Sequence, residues 1–179
     1  MQSNLYTRIV QMAEDISAAA LPLAARLVFA GVLLGYFWAS AATKFAGFPF
    51  ALSDGAFAQI YPRAFEALGY DSAGFGLWPR MVVLLGGYAE FVLPALIILG
   101  LFTRMAALGM MGFVAVQTAT DIWGHGAGAG TIGAWFDRDA ASLIADQRAL
   151  WALLLLILVL RGAGPISLDR ALLRRFARR

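Results

Sequence analysis

Four apolar segments, each about as long as a helix that crosses a bilayer, constrain this chain most strongly. They cover residues 21–43, 81–102, 105–123 and 141–160. A helix needs roughly 20 residues to cross a hydrocarbon core of about 30 Å, and these segments lack the alternation of a barrel strand. With 61% hydrophobic and 14% charged residues, the composition lies outside the range of soluble globular domains. The sequence predicts an all-α, integral membrane four-helix bundle, formed by residues 1–179 as one domain.

Positive charge is concentrated on one predicted side of the membrane. By the positive-inside rule both termini are cytoplasmic, and residues 44–80 and 124–140 form the outer loops. The formal net charge of +3 does not indicate nucleic-acid binding, because many of the arginines lie in the C-terminal tail. Residues 3–20 and the basic tail 165–179, capped by Ser167, are predicted to be amphipathic helices on the membrane surface.

The two outer loops differ in composition. The first is rich in Phe, Gly and Pro, and its residues 57–68 are predicted to form a short helix, interrupted at Pro62, within a lid. The second is glycine-rich and matches the dinucleotide pattern G-x-G-x-x-G at Gly128, Gly130 and Gly133. We interpret this match as accidental, because the fingerprint requires a preceding strand and a following helix in a soluble domain.

The residue types that carry most redox and metal chemistry are scarce. The chain has no cysteine, so it forms no disulfide and holds no iron–sulfur cluster through thiolates. Its single histidine, His125, excludes a multi-histidine metal site, and we predict no metal. We interpret His125 as a solvated loop residue in preference to a proton shuttle paired with Asp121. A redox role would therefore need a diffusible carrier or a partner protein.

A carboxylate inside the second span is the strongest functional signal. Glu90 lies nine residues after Met81, which places it about 13 Å from the end of the span, close to the middle of the bilayer. A carboxylate at that depth must be paired or protonated. Pro94 leaves the Glu90 carbonyl without its helical donor and favours a kink.

Other polar residues are predicted at the same outer level. Gln117 and Asp121 share a face of the third span, Lys44 ends the first span, and Asp146 and Arg148 open the fourth. Together with the buried carboxylate they predict a polar cavity that opens outward. The alternative is that the four charged side chains reach the interface by snorkelling.

Two features of the first span are interpreted as structural. Gly31, Gly35 and Ala39 recur every four residues and would allow another helix to approach closely. Arg26 and Lys44 lie on one face at opposite ends and would anchor the helix at both interfaces.

Three groups of motifs stand out along the chain: Arg26, Gly31 and Lys44-Phe45 in the first span, Glu90 with the turn 99–104, and the closing segment 162–169. In their order and spacing they resemble the DoxX family of small membrane proteins. The resemblance covers about residues 26–170, and the aromatic first loop and glycine-rich second loop depart from it.

The resemblance implies a four-helix bacterial inner-membrane protein. Some members are linked to quinone-coupled oxidation of sulfur compounds, others to complexes with soluble oxidoreductases or to enzymes that make metal-binding peptides. Carried over to this sequence, it makes Lys44 and Glu90 the expected functional positions.

The leading hypothesis is a membrane subunit that binds a quinone-like carrier in the outer half of the bundle and receives electrons from a partner oxidoreductase. Glu90 would exchange protons with the carrier, and Lys44 would stabilise developing negative charge. The other candidate carrier-binding residues are Trp38, Tyr88, Gln117 and Asp121. Two alternatives stay open: a non-catalytic anchor or assembly factor for an oxidoreductase or metal-handling pathway, and a small-solute transporter, for which a homodimer would give the room that alternating access needs.

Overall fold

The computed structural model describes residues 2–47 and 51–177, and the prediction of a helical protein is confirmed. The elements are, in chain order, α1 (Gln2–Phe29), a π-helical turn (Ala30–Leu34), α2 (Gly35–Thr43), β1 (Phe45–Gly47), β2 (Ala51–Leu52), α3 (Asp54–Ile60), α4 (Pro62–Ala67), a 3-10 turn (Ser72–Gly74), α5 (Leu77–Leu99), α6 (Thr103–Ala119), a second π-helical turn (Thr120–Gly124), α7 (Ala129–Ile132), α8 (Gln147–Arg161) and α9 (Leu168–Phe176). The short antiparallel β1–β2 pair was not predicted.

Three helical stretches of the described chain are long and apolar enough to span a membrane. They are Asn4–Thr43, Leu77–Leu99 and Thr103–Gly124. Each contains most of one of the first three predicted spans. The second begins at Leu77 instead of residue 81, because Pro79 is tolerated in the first turn of a helix.

The predicted start of the fourth span is wrong. α8 has 15 residues, which corresponds to about 22 Å of helix, less than the thickness of a hydrocarbon core. Before it, the Ser142 backbone N–H donates to the Asp146 carboxylate (3.0 Å), and the Asp146 N–H donates to the Ser142 hydroxyl (3.2 Å). Such local side-chain bonds compete with the helical ladder, so α8 begins only at Gln147.

The prediction of a separate surface helix over residues 3–20 is wrong. Among the described residues, this segment is continuous with the helix of the first span. The helix runs from Gln2 to Thr43 through Pro22 and the first π-helical turn. The 40-residue helical stretch Asn4–Thr43 is about 60 Å long, roughly twice the thickness of a hydrocarbon core. The apolar stripe of its N-terminal half is exposed at Leu5, Ile9, Met12 and Ile16.

The long helices pack around two apolar cores. α5 contacts α2 and α6, and α8 contacts α6 and α1. The main core is built from residues of all these helices, including Phe29, Leu33, Phe37, Ile97, Met110, Leu155 and Leu158. A smaller core of Ala56, Phe57, Phe65, Phe75 and Val83 fixes the lid, which we define as residues 51–75, on the start of α5. The predicted helix 57–68 is present as α3 and α4, which are separated at Tyr61, next to Pro62.

A clamp at the opposite end of the bundle holds α5 to the closing segment. The Arg26 guanidinium donates to the carbonyls of Ile97 (3.0 Å), Ala163 (2.9 Å) and Ile166 (2.5 Å), and also to the Ile98 carbonyl. Two of these carbonyls, Ile97 and Ile98, belong to the last turn of α5, so the guanidinium helps to cap that helix. Arg26 thus ties α1 to α5 and to the closing segment, and its predicted role as an interfacial anchor stays a prediction.

Asp169 joins the closing segment to the start of α6. Its carboxylate accepts from the backbone N–H groups of Phe102 (2.7 Å) and Thr103 (3.0 Å) and from the Thr103 hydroxyl (2.9 Å). Ser167 caps α9 by accepting from the Arg170 N–H (3.2 Å), as predicted. The end of the predicted tail, residues 178–179, lies outside the described residues.

The glycine patterns have different outcomes. Gly31, Gly35 and Ala39 are exposed, and a Cβ added at either glycine would meet no atom within 4 Å. No described helix of this chain therefore packs on the stripe, and the approach of another helix to it stays a prediction. The G-x-G-x-x-G match surrounds the single turn of α7 and follows a π-helical turn instead of a strand, which agrees with its interpretation as accidental.

Candidate functional site

A cavity of about 570 Å³ lies between α2, α5 and α6, with α3 contributing to its wall. Small-molecule sites commonly have volumes of roughly 300–1,000 Å³. Its polar lining comprises Tyr36, Ser40, Lys44, Gln59, Glu90, Gln117, Thr120, Asp121 and His125. The structure thus brings Lys44, Glu90, Gln117 and Asp121 to one cavity.

A buried ion pair lies in the wall of this cavity. Lys44 Nζ lies 2.7 Å from Glu90 Oε2, and the residues are only 3% and 4% exposed. Gly87 explains how α5 approaches the end of α2 so closely, because a Cβ there would lie 2.9 Å from the Phe45 ring. Lys44 does not snorkel, and the carboxylate in the second span is paired, as its depth requires.

Hydrogen bonds extend this pair into a network. Lys44 Nζ donates to Ser40 Oγ (3.0 Å) and to Gln59 Oε1 (3.1 Å), and Ser40 Oγ donates to Glu90 Oε1 (3.2 Å). The Gln59 amide donates in turn to Thr43 Oγ1 (3.0 Å). All three ammonium protons of Lys44 are therefore occupied. Glu90 Oε2 lies 2.7 Å from the ammonium, and a carboxylate oxygen carries two lone pairs, so one acceptor site on Oε2 stays open.

A second open acceptor lies on α6. The Gln117 amide nitrogen donates to the Tyr36 hydroxyl (2.7 Å), whereas Gln117 Oε1 is buried and has no partner among the described residues. The cavity therefore combines two open acceptor atoms with the Tyr36 hydroxyl, which is able to donate.

Asp121 forms an ion pair with Arg148 at the start of α8. Arg148 also donates to the Thr118 hydroxyl (2.8 Å). The second π-helical turn carries Asp121, and such turns are frequent at functional sites. Asp121, Tyr36 and His125 also line an adjacent cavity of about 520 Å³, so the two cavities share a wall.

His125 does not pair with Asp121 as the proton-shuttle interpretation required. Its Nε2 lies 2.9 Å from the backbone carbonyl oxygen of Gln59, and its side chain stays exposed. His125 therefore connects the second outer loop to the lid beside the Lys44 network. Asp146 contributes to the turn before α8 and does not reach this group.

Two predicted carrier-binding residues lie elsewhere. Trp38 stacks on Phe91 with ring centroids 5.0 Å apart, and its indole N–H donates to the Phe91 carbonyl (3.1 Å). Tyr88 packs its ring against Phe45 at 5.2 Å. Neither Trp38 nor Tyr88 is among the described residues that line the cavity.

Sequence reasoning missed Tyr36, Ser40 and Gln59. The first two precede Lys44 at intervals of four residues, so a polar stripe on one helix face was available as a signal. Gln59 lies on the lid, and its distance along the chain from Lys44 gives no such pattern.

The comparison with known families agrees with this arrangement. The DoxX family model matches residues 21–126, which is more than half of the chain and includes every polar residue named in the cavity wall. No curated protein and no solved structure matches the chain. With this match and three helices suited to spanning a membrane, the chain belongs to the DoxX family of membrane proteins.

Proposed function

We propose that this protein is the membrane subunit of a redox complex and binds a quinone-like carrier in the 570 Å³ cavity. The observation that carries the proposal is the buried Lys44–Glu90 pair, in which Glu90 Oε2 still has an open acceptor site. Titratable groups at such depth are rare in membrane spans and are functional by default.

The residues present fit a ring that bears hydroxyl or carbonyl oxygens. Glu90 Oε2 and Gln117 Oε1 are acceptors suited to the hydroxyl groups of the reduced carrier. The Tyr36 hydroxyl is a donor suited to a carbonyl of the oxidised carrier. The apolar lining from Leu85, Leu93 and Phe113 supports the ring in place of Trp38 and Tyr88. The bound carrier would supply the two-electron chemistry that this chain's side chains lack.

The side chains of this network have distinct roles in moving a proton. Glu90 accepts the proton at Oε2, while the hydrogen bond from Ser40 keeps Oε1 oriented. Lys44 favours the charged carboxylate before transfer. To stabilise charge on a ligand, Lys44 must first give up one of its present hydrogen bonds. The bond to Gln59 is the one to give up, because Gln59 lies on the lid and belongs neither to the ion pair nor to the helix that precedes Lys44. Lid position and proton transfer would therefore be coupled through this bond.

The proposal includes a topology. α8, together with the turn before it, serves as the fourth span, and the arginine-rich end of the bundle faces the cytoplasm of a bacterial cell. The lid and the cavity then face outward, where a partner oxidoreductase would deliver electrons.

Mass spectrometry of the lipid extract tests the carrier. We expect near-stoichiometric quinone in the purified protein and its loss in the Lys44→Ala/Glu90→Gln double variant. In addition, Glu90→Gln should weaken binding of a short-chain ubiquinol by about tenfold, or about 1.4 kcal/mol, because a hydrogen bond to a charged acceptor is lost. Glu66→Gln, an exposed carboxylate on the lid, is the matched control and should leave binding unchanged.

Absence of quinone from the wild-type extract, combined with equal ubiquinol binding by wild type and Glu90→Gln, would contradict the proposal. A loss of binding accompanied by global unfolding is recognised by thermal denaturation of the same samples.

One observation favours a second candidate, a non-catalytic anchor or assembly factor. Gln59 of the lid is joined to Lys44 and Thr43, and Lys44 is joined to Glu90, so the network connects the lid to the bundle without a bound ligand. On this hypothesis Glu90→Gln lowers the melting temperature and the recovery of a co-purified partner, while no carrier binds to the wild type.

A further inference from the structure

A third cavity, of about 1090 Å³ and open to the surface, lies at the end of the bundle opposite the lid. It is lined by the middle of α1, the start of α6, the loop after α8, and α9. The Arg26 and Asp169 clamps hold these elements together, so the cavity has a fixed frame.

Three arginines line this cavity without partners. The side chains of Arg104, Arg161 and Arg170 form no hydrogen bond or ion pair with any described residue. Two carboxylates also line it, but Asp169 is occupied by the N-terminus of α6, which leaves Asp15 against three guanidinium groups. The cavity therefore carries a surplus of positive charge that calls for an anion, and a guanidinium binds phosphate through two parallel N–H groups.

The rest of the lining is mostly apolar, and several of its side chains are exposed. Phe102 is 65% exposed, Met105 69%, and Leu173 and Phe176 70% each. Phe102 has a left-handed backbone conformation (φ 48°), and its N–H donates to the Asp169 carboxylate. Apolar surface of this extent next to unpaired cations needs an occupant that has both an anionic group and hydrocarbon.

We propose that this cavity binds one anionic phospholipid, with its phosphate between Arg104, Arg161 and Arg170 and its acyl chains over Phe102, Leu173 and Phe176. Basic pockets between membrane helices are typical sites for anionic headgroups. A free phosphate ion would satisfy the guanidinium groups but would leave the apolar side chains in water. The site is independent of the carrier cavity and of the proposed redox function.

Native mass spectrometry of the full chain in nonionic detergent, titrated with dioleoylphosphatidylglycerol, tests the site. We expect one tightly bound lipid. The variant Arg104→Gln/Arg161→Gln/Arg170→Gln should bind it at least about tenfold more weakly. The matched control Arg8→Gln/Arg174→Gln/Arg175→Gln removes the same charge from residues of α1 and α9 that do not line the cavity, and it should change the affinity by less than about threefold.

Equal weakening by the two triple variants would overturn the proposal, because diffuse charge would then explain binding. Dioleoylphosphatidylcholine bound as tightly as the anionic lipid would also overturn it. Inorganic phosphate that binds the lipid-free protein with comparable affinity would show a site for a soluble anion instead of a lipid. If the cavity triple loses its fold in thermal denaturation, the singles Arg104→Gln and Arg161→Gln make the same comparison with Arg174→Gln.

Discussion

Removal of Lys44 alone should destabilise the protein more than removal of the charges on both Lys44 and Glu90. The two residues are 3% and 4% exposed and their charged atoms lie 2.7 Å apart, so neither charge is solvated by water. Breaking a buried pair costs about 3–5 kcal/mol, because the remaining charge is left uncompensated. Lys44→Met should therefore lower the free energy of unfolding by this amount, leaving Ser40 as the one side chain donating to Glu90.

The double variant Lys44→Met/Glu90→Gln should be more stable than Lys44→Met by about 1–3 kcal/mol, since the uncompensated charge is gone. Unfolding by sodium dodecyl sulfate in mixed micelles measures both values. A double variant that is less stable than Lys44→Met would refute the reasoning. The control pair Arg63→Met and Glu66→Gln, both exposed on the lid, should be additive and each should cost no more than about 0.5 kcal/mol.

Three further predictions concern the clamp end. Gly100→Ala should cost about 1–3 kcal/mol in thermal denaturation, because Gly100 has a φ of 66° and a Cβ there would lie 2.6 Å from the Ser167 Cβ. Asp169→Ala should cost about 1–2 kcal/mol, measured the same way, because α6 loses its cap and Thr103 loses an acceptor. Arg26→Lys should cost about 1–3 kcal/mol and should speed proteolysis of the loop after α8, because an ammonium does not reproduce the guanidinium fork that joins several carbonyls.

Gly112→Ala is the control for the glycine prediction. A Cβ at this α6 position would meet no atom within 4 Å, so the substitution should raise stability by up to about 1 kcal/mol through helix propensity. Equal destabilisation by Gly100→Ala and Gly112→Ala would contradict the role given to the left-handed turn.

Hydropathy predicted the first three spans because the length of an apolar segment is a local property of the sequence. The same reasoning failed at the start of α8, where residues 141–145 are mostly apolar but are held in a turn by two bonds between Ser142 and Asp146. Those bonds depend on the conformation of two short polar side chains, and a hydropathy window does not contain that information.

The sequence predicted the level of the site along the bundle but not the contacts between its residues. Glu90 and Lys44 were placed at one level of the bundle, and their direct contact follows from the close approach that Gly87 permits. Tyr88 does not line the cavity with Glu90, because residues two apart on a helix point to different sides. Trp38 follows the first π-helical turn, and the extra residue of such a turn shifts the faces that a regular helical period predicts.

The motifs that carry the family resemblance fall into two physical classes. Arg26, the turn 99–104 and the closing segment 162–169 meet in one clamp, where backbone groups at the ends of α5 and α6 are satisfied by Arg26 and Asp169. This end holds the helix termini together, and loss of either clamp should lower stability. Lys44 and Glu90 lie at the other end, where an acceptor oxygen stays open beside a cavity. A buried ion pair is a poor source of stability compared with apolar residues of the same size, so its presence there supports the proposed carrier site.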